Sequence, residues 1–139
     1  MRLTPIVDRL KEAGLKRVHG ALEFAGLQQH PGTLPAYFVL PTGWRAQENK
    51  LAGAHDQLVS EDFAVLIVLN ATARREDAVA EDLHDEETRI LGALTGWKHP
   101  DASRACEATS GQLVSVDGHA LGWRVGFRTG RHIRKREAT

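Results

Sequence analysis

The side chains that could carry chemistry are seven histidines, one cysteine and many carboxylates. A metal site needs such groups to converge, for example two histidines four residues apart on one helix face. The histidines show no such spacing, and we predict that they are solvated: they stand at positions 19, 30, 55, 84, 99, 119 and 132. The sequence also contains no phosphate-binding glycine loop and no serine-nucleophile motif. We therefore predict no catalytic, metal or cofactor site.

Cys106 and the carboxylates have simpler interpretations than catalysis. A single cysteine excludes an internal disulfide and suits synthesis in the reducing cytoplasm. Cys106 lies in no nucleophile motif, so we predict a small buried or half-buried apolar residue. Glu81 and Asp85 share one face of a predicted helix, where a lone acidic face is usually solvated. The chain is predicted not to be an enzyme.

Charge is balanced overall but separated along the chain. There are 18 Lys and Arg against 18 Asp and Glu. Residues 61–87 hold nine acidic residues and two arginines, whereas residues 124–136 hold six basic residues and no acidic one. Two opposite poles suit a head-to-tail contact between copies, which closes into a ring or continues as a filament. Ordinary solvated surface is the alternative, and clustered basic residues also suit a nucleic-acid-binding module.

The elements that must position these residues follow from hydrophobic periodicity. A chain of 139 residues is long enough for one domain with its own core, and no apolar stretch approaches the ~18 residues of a membrane span. A first helix is predicted to begin with Thr4 as its N-cap and Pro5 as its first helical residue, and to end at Gly14. A second helix spans Glu76 to Leu94 and ends before Gly96. Strands are predicted at 36–40, 58–70, 112–116 and 120–129, with a hairpin at Asp117-Gly118 and a further helical turn at 21–25.

Two segments outside these elements are candidate contact regions. The polar segment 42–56 is predicted to be a long loop, and loops of this length more often have a function than not. Residues 130–139 are predicted to form a basic C-terminal tail. We therefore predict subunit or partner contacts at the loop, at the acidic helix and at the basic strand and tail: Trp44, Arg45, Glu48, Asn49, Lys50, Glu81, Asp82, Asp85, Arg124, Arg128, Arg131 and Arg134. The predicted fold class is α+β, a single domain with a mostly antiparallel sheet flanked by helices.

The order of these elements resembles a known family. The segments that carry the resemblance are LKRVHGALEFA, LPAYFVLPTGWRAQENKL, QLVSEDFAVLIVLNA, LGALTGWKHPDA and GQLVSVDGHALGWRVGFRT. Together they resemble the tail terminator, or tail completion, proteins of long-tailed bacteriophages over nearly the whole chain. The resemblance lies in core positions, so it transfers no individual contact residue.

The resemblance implies a function without catalysis or a cofactor. It implies a homohexameric ring at the head-proximal end of the tail tube, in the virion, that stops tube polymerisation and offers a surface for head joining. The implied partners are other copies of the chain, the tail tube protein and the connector or neck proteins, with DNA only passing through the lumen and no membrane. Another neck or head-completion protein of the same particle, or a small nucleic-acid-binding module, remains the alternative.

Overall fold

The computed structural model describes residues 1–20, 34–72 and 74–136, so the predicted turn at 21–25 lies outside the described residues. The described elements are two helices and five strands: α1 (Thr4–Glu12), β1 (Val18–His19), β2 (Ala36–Ala46), β3 (Ala54–Asn70), α2 (Glu76–Leu94), β4 (Arg104–Val116) and β5 (Ala120–Arg136). The strands form one sheet in the order β1-β2-β3-β5-β4, and only β1 and β2 run parallel. This is the predicted α+β arrangement.

Strand β3 occupies the centre of the sheet because both of its faces are apolar. Residues Phe63 to Leu69 are all buried, as a strand covered on both sides requires. It pairs with β5 along its full 17 residues, from Ala54 opposite Arg136 to Asn70 opposite Ala120. Phe63 and Phe127 lie opposite each other, and their rings stack at a centroid distance of 5.4 Å.

Both helices pack on one face of the sheet. Ile6 and Leu10 of α1 are fully buried there, together with Ile90 and Leu94 of α2. Helix α1 begins at Thr4, but its cap position is Leu3 and no side chain caps it, so the predicted Thr4 cap is wrong. A second, smaller apolar cluster lies on the opposite face and contains Phe38 and Leu66.

Helix α2 has the predicted boundaries. Glu76 and Asp77 lie in its first turn, where negative charge complements the helix dipole. Gly96 follows the helix with φ +80, a left-handed conformation that glycine adopts without steric cost. Its N–H donates to the Cys106 carbonyl at 2.8 Å, so the end of α2 is tied directly to β4.

Two glutamates interrupt the apolar stripe of α2, and both anchor the helix to the sheet. The Tyr37 hydroxyl donates to Glu86, and the Trp123 indole N–H donates to Glu87 at 2.6 Å. A half-buried carboxylate is stabilised when it accepts such bonds and costs free energy when it does not. The stripe is therefore broken by charged groups that each have a partner on the sheet.

The strands are longer than their sequence patterns predicted. Strand β2 continues past Pro41 to Ala46, with an irregular register between Pro41 and Gly43, and β3 begins at Ala54. The predicted loop at 42–56 is therefore wrong in extent: the connection covers only residues 47–53. The predicted tail at 130–139 is also corrected, because residues 130–136 belong to β5. Pairing with β3 extends these polar segments as strands, although their own residues show no apolar alternation.

Within the described part of the chain, neither helix combines the length and hydropathy that crossing a membrane requires.

Because the hydroxyl of Tyr37 is buried, we expect the protein to lose folding stability in alkaline solution. Burial and the hydrogen bond to Glu86 raise the pKa of Tyr37 well above its ordinary value of 10.0. The unfolded chain therefore releases the phenolic proton first, so the stability linked to Tyr37 is present below pH 10.0 and falls as the pH rises further. Tyr37 is the only tyrosine, so tyrosinate absorbance reports on it alone.

The control is Tyr37→Phe, which should remove this part of the alkaline decline. A tyrosinate midpoint near the ordinary value in the folded protein would contradict the buried Tyr37–Glu86 bond.

Candidate subunit interface

The acidic side of the candidate interface lies on the outer face of α2. Glu81 and Asp85 are exposed, and neither forms an ion pair with another described residue. Asp82 differs, because Arg74 contacts it at 2.6 Å. Helical spacing of four residues places Glu81 and Asp85 side by side, so α2 presents two uncompensated negative charges to solvent.

The basic side is largely paired within the chain. Arg128 contacts Asp62 at 2.9 Å, and Arg131 contacts Glu61 at 3.1 Å. The β3–β5 register causes this pairing, because it places Asp62 directly opposite Arg128. The basic run of β5 is thus neutralised in part by the acidic residues of β3, which lie far from it in sequence.

Asp56 forms the third of these pairings, near the end of β5. His132 contacts it at 2.8 Å and Arg134 at 3.4 Å. The hydrogen bond from His132, followed by the charge of Arg134, lowers the pKa of Asp56. Arg134 is itself 67% exposed, so it retains a solvent-facing side as well as its partner.

Arg124 is the exception among the four arginines predicted as contacts on this strand. It lies opposite Leu66 on the face of the sheet away from the helices, and no described residue forms an ion pair with it. A shallow cleft of about 260 Å³ adjoins it, and the polar residues lining that cleft are Thr42, Asp62, Thr109, Ser110 and Arg128. Arg124 and the pair Glu81–Asp85 therefore lie on opposite sides of the subunit, where one chain cannot bring them together.

The hydroxyls of the cleft cover glycines of β5. A Cβ atom placed on Gly126 would lie 2.8 Å from both Ser110 Oγ and Thr109 Oγ1. One face of β5 carries only glycines and arginines from Gly122 to Arg128. The side chains of β4 cover part of that face, and the register of β4 against β5 is irregular between Ala108 and Ser110.

The candidate residues on the β2–β3 hairpin divide into two groups. Trp44, Arg45, Glu48 and Lys50 are exposed, and Trp44 keeps 60% of its surface accessible. Asn49 is turned inward: its Oδ1 accepts the Asp56 amide at 3.0 Å, and its Nδ2 donates to the Ala54 carbonyl at 3.3 Å. Asn49 therefore braces the connection, while the other four remain available for contact.

Sequence reasoning missed the exposed surface of β4. Residues 107–116 are all exposed, and they include three large apolar side chains, Leu113, Val114 and Val116. Periodicity predicted only residues 112–116 as a strand, so most of this edge was not recognised. One available signal was the absence of any charged residue between Glu107 and Asp117.

The histidines differ in exposure. His55, His84 and His119 are exposed as predicted, His19 and His132 are half-buried, and His30 lies outside the described residues. His99 is fully buried, which corrects the prediction that it is solvated. His99 Nδ1 accepts the Asp101 amide at 2.9 Å, so Nε2 carries the proton and donates to the Arg2 carbonyl at 2.6 Å. His99 thereby holds the start of the chain against the loop before β4.

Cys106 is buried, as predicted, with 1% of its surface accessible. Burial raises the pKa of its thiol, which disfavours the reactive thiolate. Among the described residues, no group of three or more histidine, cysteine or acidic side chains is arranged to hold a metal ion.

Comparison with known protein families identifies the family of this chain. A family model described as phage tail terminator protein matches residues 1–138. The chain belongs to the phage tail terminator family. The match confirms the resemblance noted from the strand and helix segments, and a search of curated proteins found no match. This terminator-family chain is therefore a structural component of a phage tail, and its family is a structural rather than an enzymatic one.

The internal ion pairs of the terminator-family chain predict unequal contributions to stability. Glu61 is 13% exposed and accepts from both Arg131 and the N-terminal amine, at 3.1 and 3.0 Å. Removing it by Glu61→Ala leaves two cations without their partner and should cost about 1–3 kcal/mol of unfolding free energy. The measurement is the urea unfolding midpoint.

Asp62→Ala is the matched control one residue away. Its pair with Arg128 is exposed, so we expect a loss of about 0.5 kcal/mol or less. Equal losses from the two substitutions would show that burial of Glu61 does not strengthen its contacts.

Proposed function

We propose that six copies of this chain form a closed ring that caps the head-proximal end of a phage tail tube. The ring ends tube polymerisation and provides the surface to which the head is joined. The observation that carries the proposal is the family match over residues 1–138.

The placement of charge supports a ring built from unlike surfaces. Glu81 and Asp85 face outward on α2, while Arg124 lies on the opposite face of the sheet. A contact between unlike surfaces of successive copies is heterologous, and it closes into a ring when the rotation between copies divides a full turn. Two separated and uncompensated patches of opposite charge suit such a contact better than a two-fold symmetric one.

Termination by such a ring requires no bond to form or break. One face of the ring matches the last ring of the tube protein, and the other face presents a different surface to the connector or neck proteins. The exposed hairpin between β2 and β3, which carries Trp44, Glu48 and Lys50, is the candidate contact with the tube or the lumen, through which DNA passes. Ordering that connection on binding costs free energy, which the new contacts must offset.

The proposed setting is the virion tail, after synthesis in the cytoplasm of the host bacterium. A neck or head-completion protein of the same particle would have a similar size and charge. The nucleic-acid-binding alternative is less well supported, because Arg128, Arg131 and Arg134 contact acidic residues of the same chain. Their positive charge is therefore partly compensated before any phosphate approaches.

Tail tubes assembled with and without the purified chain test the proposal. We expect tubes of the encoding phage or prophage to stop growing when the chain is present, with a ring visible at one end by electron microscopy. The double variant Glu81→Lys, Asp85→Lys should lower the fraction of terminated tubes, because it reverses the acidic patch.

The control variant is Glu12→Lys, an equally exposed charge reversal at the end of α1, outside both charged patches. It should terminate tubes normally. Unlimited tube growth in the presence of the unmodified chain would contradict the proposed function.

A further inference from the structure

The exposed large hydrophobic side chains of the described residues occur in only two places. Trp44 and Leu51 lie on the hairpin formed by the end of β2 and the start of β3. Leu113, Val114 and Val116 lie on β4. These two places are at opposite edges of the sheet, since β4 is one terminal strand and β2 is covered only by the two-residue β1. Apolar surface at two opposite edges is typical of a contact between successive copies.

The β4 edge lacks the features that usually protect an edge strand. Native edges are commonly short or carry charged side chains, since an unpaired row of N–H and C=O groups can pair with another chain. Strand β4 is 13 residues long, and its ten residues from Glu107 to Val116 are all exposed. Glu107 is the only charged residue among those ten.

The outer edge of β2 is also open. Strand β1 pairs with β2 only at Tyr37 and Phe38, and no other described strand pairs on that side. Residues 41–45, beyond this pairing, are all exposed. A strand from another molecule can therefore reach the backbone of β2 in this segment.

The strand directions favour pairing between these two edges. Along the sheet, β2, β3, β5 and β4 alternate in direction, so β4 runs opposite to β2. When a second copy is related by rotation about an axis along the strands, its β2 lies antiparallel to β4 of the first copy. The antiparallel alternation then continues from copy to copy without a break, as a cyclic ring requires.

The side chains at the two edges also match in face and charge. Trp44 lies opposite Glu61, and Leu113 opposite Trp123, so both apolar residues are on the helix-bearing face. Arg45 and Glu107 are on the other face, both exposed, and neither has an ion pair among the described residues. In a continued sheet, the faces of the two copies coincide and unlike charges meet on one of them.

The strand registers place Arg45 and Glu107 at similar positions along the strand direction, as the row of residues that lie opposite one another across the sheet shows. Gly43 lies opposite Asp62, Asp62 opposite Arg128, and Arg128 opposite Glu107. Glu107 therefore shares a row with Gly43, two positions from Arg45 along β2.

We propose that residues 42–46 of β2 pair antiparallel with the exposed edge of β4 around Glu107 in the next copy, with Arg45 facing Glu107 across the contact. The inference rests on the proposed ring and assigns its subunit contact to the sheet edges. In such a continued sheet, Glu81 and Asp85 stay on the opposite face from Arg124, so these charges face other molecules rather than each other across the contact. The partner is a second copy of this chain, because the two edges are complementary in strand direction and in charge.

Charge exchange tests the contact. Arg45→Glu and Glu107→Arg should each weaken assembly about 2- to 20-fold per interface, because each replaces an attraction with a repulsion. The double variant should recover assembly. An equal mixture of the two single variants should recover it as well, since every contact in an alternating ring then joins unlike charges. Native mass spectrometry and sedimentation velocity across concentration measure the assembly.

Glu48→Lys is the matched control, because Glu48 is exposed on the same hairpin but lies beyond β2. It should leave assembly unchanged. Arg45→Glu and Glu48→Lys should keep the unfolding midpoint of the unmodified chain. Glu107→Arg places an arginine opposite Arg128, so a small loss of stability is expected there and is measured before the assembly of that variant is compared.

Four outcomes would overturn the inference. In the first three, the unmodified chain remains monomeric at all concentrations, both single variants assemble normally, or neither the double variant nor the mixture recovers assembly. Weakening by Glu107→Arg alone, with dimers as the product, would indicate β4 pairing with β4 and also overturn it. Normal tube termination alongside any of these results would leave the proposed function standing, whereas a failure to terminate tubes would contradict that function itself.

Discussion

The β3–β5 ladder is the contact that sets the position of nearly every other group. It runs from Ala54 opposite Arg136 to Asn70 opposite Ala120 without a register shift. A slip of one residue would turn Phe63 and Phe127 out of the core, so the apolar rows fix the register. That register then extends into the polar ends of both strands, where it places Asp62 against Arg128. Hydrophobic burial in the middle of the sheet thus determines which charges are neutralised at its end.

Helix α2 combines attachment to the sheet with a free acidic face. Its inner side carries apolar residues and two carboxylates, which accept bonds from Tyr37 and Trp123. Because Glu86 and Glu87 have these partners, their negative charge does not weaken the packing of the helix. Glu81 and Asp85, on the outer face of the same helix, have no such partners and face solvent. The same acidic helix therefore contributes to the fold on one side and offers a contact surface on the other.

A structural tail protein acts through its contacts with other molecules, and the surfaces of this chain suit that task. The exposed edges of β2 and β4 retain backbone hydrogen-bonding groups that a neighbouring copy can satisfy. An isolated monomer with these edges would risk uncontrolled association. Pairing them with each other in a closed ring removes both edges at once, since a closed sheet has no end.

The sequence by itself determined the α+β class, helix α2, the Asp117-Gly118 hairpin, the buried Cys106 and the family. Each of these depends on local spacing or on apolar residues that recur in a regular pattern. Only the tertiary structure decided the true lengths of β2 and β5, the burial of His99, the inward turn of Asn49 and the partners of the β5 arginines. Those features arise where one strand imposes its geometry on another far away in sequence. Polar strand ends and ion pairs have no periodicity of their own, so the register of the apolar centre had to be known first.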